Sequence, residues 1–519
     1  MMKFNVRPIR YTRAFVALIG LSCGLAGTAP AQRATVSSGL LLTNVTIVDT
    51  HTGKLTPGMS VAVDGGRITK IGRAGTLLAK GSARSIDLKG KFVVPGYWEM
   101  HGHPIDSPDR ADNLALMLAN GITGVRQMSG SDALLKERRD GTLMPATDAP
   151  ELLAMPGSIL LRGNAATVPM AVAEVDKQKA EGADFIKTID VTPQVFFAAL
   201  EEATKQGLLY DGHLSAGVDA VKASEAGMRV IEHLGPMETI LIGCSTDEAA
   251  IRQAMAARAA AAAQAPAPPP AASLSKNATS NPVLTRSLAD PTALSRTQHI
   301  LDTYSEEKCR NVAQVFAAHK TWQAPTLIRL RTAEFGDDPT YRENPNLEYV
   351  SPATRQLWNS IAQQFTAKMG PADRETLKQM FAVQMKVAKL FEDTGVPMLA
   401  GSDFGGMWLV AGFSLHQEFD LLAQAGFTPL QVLQMTTLDG AELLGREAHA
   451  GSVEEGKDAN LVVLDANPMD SVQNLHKVYA VVRGGNYYSK DALDSLKQKV
   501  RKHMESAQAA SIPAEKATP

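Results

Sequence analysis

The 519-residue sequence is poor in cysteine and has no excess of either charge. Its three cysteines, Cys23, Cys244 and Cys309, are too few for a disulfide framework. Lys and Arg number 52 against 54 Asp and Glu, a formal net charge of -2. Nucleic-acid binders usually carry a basic excess or stripe, so this balance argues against that class. A content of 45% hydrophobic and 20% charged residues excludes a disordered or fibrous chain. Past the first thirty residues, no window holds about 18 consecutive apolar residues, the length a spanning helix needs.

The N-terminus has its own pattern. Lys3, Arg7, Arg10 and Arg13 come without an acid, an apolar run follows from Ala14 to about Gly27, and Ala29-Pro30-Ala31 closes it. This order reads as a secretory signal peptide over residues 1–31, which predicts a secreted or periplasmic protein with no membrane attachment after its removal. Gly20 argues against lipidation of Cys23, because a large aliphatic residue is usual at that spacing. Cys244 and Cys309 would then remain, either as one bridge in an oxidising compartment or as two buried thiols.

Beyond the leader, residues 32–95 and 446–490 share one texture: Val-, Ile- and Thr-rich runs broken by glycine turns such as Asp64-Gly65-Gly66. They are expected to pair into one composite β-sandwich domain, since domain termini often lie close together. Between them, residues 96–445 alternate short apolar strands with helical stretches. Eight such units, counted from FVVPGYWEM to VPMLAGSD, predict an α/β fold, a (β/α)8 TIM barrel. A doubly wound open sheet is the alternative. From Ala254 to Ala272, 12 of 19 residues are Ala and four are Pro. Residues from about 254 to 290 therefore read as a flexible surface insertion. Residues 491–519 read as a C-terminal helix and tail.

The residues with chemistry sit where apolar runs end. His101 and His103 close the first strand of the alternating region, and residues i and i+2 of a strand point to one side. Lys187 ends GADFIK, His213 ends LYDGH, His233 ends RVIEH and Asp403 ends LAGSD. The strand ends are the face on which barrel enzymes build their sites. The intervals of 84, 26, 20 and 170 residues place these groups on strands one, four, five, six and eight. Four imidazoles and a carboxylate suit two divalent metal ions, Zn²⁺ or a borderline relative. An ammonium beside two dications would be repelled, so Lys187 fits the set as a CO2-derived carbamate. The plainer alternatives are that Lys187 pairs an acid or a substrate phosphate, and that His233 is a core histidine.

As a set, PG-x-x-E-x-H-x-H, GADFIK, the two single histidines, GSD and the return GSVEEGKDANLVVLDANP resemble the amidohydrolase superfamily. The similarity is to the secreted imidazolonepropionase-like and dipeptidase-like branch with a lysine on the fourth strand. It implies that His101, His103 and Asp403 hold one metal, that His213 and His233 hold the other, and that carbamylated Lys187 bridges them. It also implies that Asp403 is the catalytic proton carrier. Two positions depart from the pattern. Glu99 stands where the family usually has Asp, and TIDVTPQVFF runs straight into a helix where dipeptidase-like relatives often carry a glycine-rich loop.

The expected activity is hydrolysis of a carbon–nitrogen bond in a small amide, cyclic amide or dipeptide-like molecule, by hydroxide generated at the metals. Lactone, ester or phosphotriester hydrolysis on the same site is the alternative. A mononuclear deaminase and a non-catalytic binding protein follow. A homo-oligomer is compatible with the sequence. Several residues have lesser claims. Arg126 could meet a substrate carboxylate or form an internal ion pair. Tyr210, Trp322 and Trp408 offer pocket wall, His416 reads as packing, and His319 lies at the wrong end of its strand.

Overall fold

The computed structural model describes residues 33–236, 238–264 and 281–511. The leader assigned to residues 1–31, the APAPPP stretch and residues 512–519 of the tail lie outside them.

The N-terminal strands are β1 (Ala34–Val36), β2 (Leu40–Val48), β3 (Leu55–Asp64), β4 (Arg67–Arg73), β5 (Leu77–Ala79), β6 (Arg84–Asp87) and β7 (Phe92–Pro95). The parallel strands are β8 (Tyr97–Gly102), β9 (Ile122–Gln127), β10 (Glu151–Ala154), β11 (Leu160–Leu161), β12 (Phe185–Asp190), β13 (Leu209–Gly212), β14 (Val230–Glu232) and β15 (Trp322–Ala324). β16 (Leu461–Leu464), β17 (Val478–Arg483) and β18 (Asn486–Tyr488) complete the set.

The two chain ends share one eight-stranded sheet, in the order β18-β17-β16-β7-β2-β3-β4 with β6 also on β2. β16 runs antiparallel to both β7 and β17, so residues 461–464 sit between an N-terminal and a C-terminal strand. Alternation decides which side chain faces what. On β16, Leu461 and Val463 enter the sheet's own apolar cluster, while Val462 and Leu464 enter the large core shared with the α/β body. The second layer of the expected sandwich is only the two-stranded β1–β5 ribbon, packed through Leu77 onto Leu41 and Ala62.

The alternating region forms two parallel sheets, β10-β9-β8 and β11-β12-β13-β14-β15. Residues 397–403 run between them. Leu399 N–H donates to Gln323 O at 2.9 Å, Met100 N–H to Ala400 O at 3.1 Å and Asp403 N–H to His101 O at 2.7 Å. At the other margin, Asp184 N–H donates to Met155 O at 3.0 Å. VPMLAGSD reads as a regular eighth strand in sequence, but in the structure it is an extended segment with single bridges. Its backbone is pressed against β8: a Cβ on Gly401 would lie 2.7 Å from that of His101.

The insertion reading over about 254–290 is corrected at its C-terminal part, residues 282–289. Residues Glu248–Gln264 and Pro282–Ala289 are helical. The second helix is built into the body: Leu284 and Asn281 are buried, and Arg286 Nη1 lies 2.6 Å from Glu238 Oε1. Asn281 caps this helix by accepting Leu284 N–H, and Pro282 fits its first turn. A bridge joins Cys244 to Cys309, with 4.3 Å between their Cα atoms. Lys490–Ser511 is one helix packed along Arg110–Ala119. Among the described residues, no helix is long and apolar enough to cross a membrane.

Candidate metal centre

His101 and His103 leave β8, Lys187 lies in β12, His213 follows β13, His233 follows β14 and Asp403 ends the 397–403 segment. His101, His103, His233 and Asp403 come together where the parallel strands end, with the His213 ring beside that of His233. Asp403 is their hub. Its Oδ1 lies 3.3 Å from His101 Nε2 and 3.2 Å from His103 Nε2, and its Oδ2 lies 3.9 Å from His233 Nε2. The His233 ring is 4.7 Å from that of His101 and 4.9 Å from that of His213. Lys187 is buried, and its charge acts on His103, His213 and His233. Ligand atoms on His101, His233 and Asp403 all lie within 4.8 Å of one another. This trio takes one histidine from each of the two metal sets implied by the family resemblance.

The backbone turns sharply to deliver these groups. His233, Thr326 and Asp403 adopt φ of 58°, 46° and 52°. A left-handed conformation costs a non-glycine residue about 1–3 kcal/mol and recurs at functional sites.

Three of the four imidazoles are held from behind. His101 Nδ1–H donates to Glu232 Oε2 at 2.6 Å. His103 Nδ1–H donates to Ser129 Oγ at 2.7 Å, and Ser129 in turn donates to Asp106 Oδ2. His233 Nδ1 is 2.6 Å from Thr326 Oγ1. These contacts turn the Nε2 lone pairs inward, as outer partners of metal-binding histidines do. His101 Nε2 is fully buried, and among the described residues it has no hydrogen-bond partner. A buried nitrogen left without a partner costs about 1–3 kcal/mol unless a ligand takes it. With four histidines and a carboxylate, the donor set fits a divalent transition ion.

The electrostatics agree with that fit. Burial, with the charges of neighbouring His233 and Lys187, holds His213 well below the usual histidine range. Burial likewise brings His233 down to about 3, so both rings are unprotonated near neutrality. Burial would raise Asp403, but His101, His103 and His233 outweigh it and hold the carboxyl well below its usual value. Burial lowers Lys187, which favours the free amine that carbamylation needs.

Beneath the centre lies a second buried layer. Arg126 Nη1 donates to Glu232 Oε1 at 3.1 Å and its Nη2 to Asp211 Oδ2 at 2.6 Å, with Cζ 4.6 Å from the Phe185 ring centre. Arg126 is thus an internal ion pair. Glu99 ties β8 to the 397–403 segment by accepting from Ser402 N–H at 2.8 Å, Ser402 Oγ–H at 2.7 Å and His101 N–H at 3.2 Å. Burial raises Glu99 to about 7.

The other sequence candidates are structural. His416 Nε2–H donates to Asn120 O at 2.9 Å, Trp408 Nε1–H donates to Gly336 O at 2.9 Å, and Tyr210 packs on Phe196. Trp322 lies in an apolar cluster, and His319 ends the helix before β15.

Sequence reasoning missed two groups. Glu232 directly precedes His233 in RVIEH, and strand alternation would point it to the opposite side. Arg329, in TLIRL, donates from Nε to Asp403 Oδ2 at 3.0 Å. It follows the seventh strand, one of three to which the sequence assigned no site residue, and nothing in its spacing marks it.

Residues 371–487 match the model of the amidohydrolase family. An imidazolonepropionase of Thermoplasma volcanium is 34% identical over 82 residues, 15% of this chain and 20% of that protein. The chain therefore spans about a fifth of the length of this curated relative. A bottromycin amidohydrolase superposes with a TM-score of 0.65 at 21% identity, over 89% of this chain and 90% of its own. A putative prolidase from Bifidobacterium longum gives 0.57 at 20% identity, over 90% and 99%. Residues 371–487 are thus similar to the amidohydrolase family, and the chain shares a mixed α/β fold with the bottromycin amidohydrolase.

Proposed function

We propose that this protein is a metal-dependent amidohydrolase that cleaves a carbon–nitrogen bond in a small amide, cyclic amide or dipeptide-like substrate. The observation that carries the reading is the convergence of three imidazole Nε2 atoms on Asp403, one of them buried with no hydrogen-bond partner among the described residues. In this reading the eight parallel segments close into a (β/α)8 barrel, with the Asp184–Met155 and Asp403–His101 backbone bonds at its two joins. His101, His103 and Asp403 would hold one ion and His213 and His233 a second, with Lys187, as a carbamate, supplying a further anionic ligand. Bound divalent ions would polarise the scissile carbonyl and lower the pKa of water from 15.7 to about 7. Asp403 accepts the proton of the attacking water and returns it to the leaving nitrogen. Glu232 and Ser129 keep His101 and His103 in the tautomer that points Nε2 at the centre.

Export to an oxidising compartment is part of the proposal. The Cys244–Cys309 bridge supports it, since such bonds persist there. A second reading, a one-metal deaminase, draws on the compact His101, His233 and Asp403 trio.

Metal analysis of the zinc-reconstituted protein separates the two readings. About two ions per chain supports the bridged site, and about one supports the deaminase. Turnover of N-acyl amino acids, dipeptides, lactones and a phosphotriester then identifies the bond cleaved. If none of them is hydrolysed by the metal-replete protein, the hydrolase reading fails.

A further inference from the structure

We propose that this protein has a second ligand site, apart from the metal centre, that binds a small organic anion between Arg342 and Arg355. The inference does not depend on the hydrolase reading. Residues of the chain beyond the Arg329 helix, Leu327–Glu334, line a recess of about 420 Å³ together with Trp408 and Gln508. That volume lies in the range of small-molecule pockets. None of the six metal-centre residues lines it, and neither does Arg329.

The recess is one-sided in charge. Arg342 and Arg355 line it, and no acid does. Among the described residues, neither guanidinium forms an ion pair. Arg342 Nε–H donates to Asn359 Oδ1 at 3.2 Å and Arg355 Nη2–H to Gln508 Oε1 at 3.1 Å, both neutral acceptors. Arg355 Nε is buried, with no hydrogen-bond partner among the described residues. Acids nearby in sequence are engaged elsewhere: Asp338 with Arg331 at 3.2 Å and Glu348 with Arg501 at 2.6 Å. Glu343 is exposed and outside the lining. A guanidinium partly withdrawn from water, as Arg355 is, is ordinarily answered by a counter-charge. Here that answer is left to whatever enters the recess.

The rest of the lining sets the other half of the ligand. Leu347, Pro352 and Trp408 form apolar wall. Trp408 is fixed in place: its indole N–H donates to Gly336 O, Tyr341 stacks on it at 6.1 Å and Trp358 meets it edge-on at 5.5 Å. Its backbone holds φ of 64°, a left-handed conformation that bulky residues rarely adopt and that recurs at ligand clamps. Two guanidiniums beside a rigid indole suit a carboxylate or a phosphate monoester carried on an apolar or aromatic body.

Calorimetry on the zinc-free protein, in which no metal can take the anion, tests this with phenyl phosphate, phenylacetate and neutral phenylacetamide. At least one of the two anions should bind saturably and at least tenfold more tightly than the amide. The tighter of the two identifies the headgroup as phosphate or carboxylate. The double variant Arg342→Gln/Arg355→Gln should weaken that binding at least tenfold. Should it not fold, Gln356→Glu, at an exposed position of the lining, sets an acid beside the guanidiniums and must weaken the same binding at least tenfold. No saturable binding of either anion in the millimolar range, equal binding of the amide, or binding that survives these substitutions overturns the proposal.

Discussion

Two polar layers lie one above the other in this molecule, and their difference separates architecture from chemistry. The lower layer is Arg126 with Glu232 and Asp211, all essentially unexposed, its cation set between two carboxylates and over Phe185. The upper layer is four imidazoles, a lysine and Asp403, with a buried Nε2 that among the described residues has no hydrogen-bond partner. A layer whose charges answer one another has little to offer a ligand. A layer that leaves donors pointing inward and unsatisfied is built around something that arrives later. Glu232 joins the two, with one oxygen toward Arg126 and the other toward His101.

Substitutions in the two layers should therefore fail differently. Asp403→Asn should lower amide turnover by about 10²–10⁴, the range typical of lost general acid–base catalysis. Its unfolding transition should stay cooperative and near that of wild type. Steady-state kinetics and a thermal melt on one preparation check both halves.

Arg126→Met should show the reverse emphasis. Removing the cation strands two buried carboxylates, a loss of about 3–5 kcal/mol measurable by denaturant unfolding of the metal-free protein. Full stability in this variant would break the comparison.

Glu232→Gln probes the joint. It leaves the His101 ring in place but removes the charge that fixes its tautomer, so zinc affinity should fall about 10–100-fold in competition with a chelator. The zinc-dependent rise in melting temperature should shrink with it.

The smallest effect concerns Glu418, which accepts Ile328 N–H at 2.7 Å near the start of the Arg329 helix. Burial raises its carboxyl from 4.5 to about 8. The folded state keeps this proton where the unfolded chain has released it. Its stabilising contribution is thus complete below pH 4.5 and is lost as pH rises through 8. Glu418→Gln should flatten the decline in melting temperature between pH 5 and pH 9, with a smaller effect at the acid end.

The upper layer was legible in the sequence because each of its members ends an apolar run, and strand ends gather wherever parallel strands align. The lower layer was not, because its contacts depend on which strands become neighbours. Arg126 meets Glu232 across 106 residues and Asp211 across 85. Arg126 is ambiguous for the same reason: a lone arginine on a strand does not reveal the acids it will face. The insertion was half legible. Its Ala/Pro composition announces a break, but Pro282–Ala289 is also tied to the body through Asn281 on Ala333 O and Arg286 on Glu238, partners distant in the chain. The eighth strand is an extended segment with single bridges, and the close packing of Gly401 on His101 within it is not encoded by hydrophobic pattern.

The interleaved sheet has a consequence for biogenesis. β7 ends at Pro95, but the strand that covers its outer edge begins at Leu461. At a synthesis rate of roughly 5–20 residues per second, the intervening chain takes on the order of 20–70 seconds to appear. Throughout that interval β7 presents unpaired amides and carbonyls along an apolar ribbon, the kind of template that recruits other nascent chains. Any product stopped short of residue 461 would keep that edge permanently, so premature termination in this protein should yield aggregates rather than a soluble fragment.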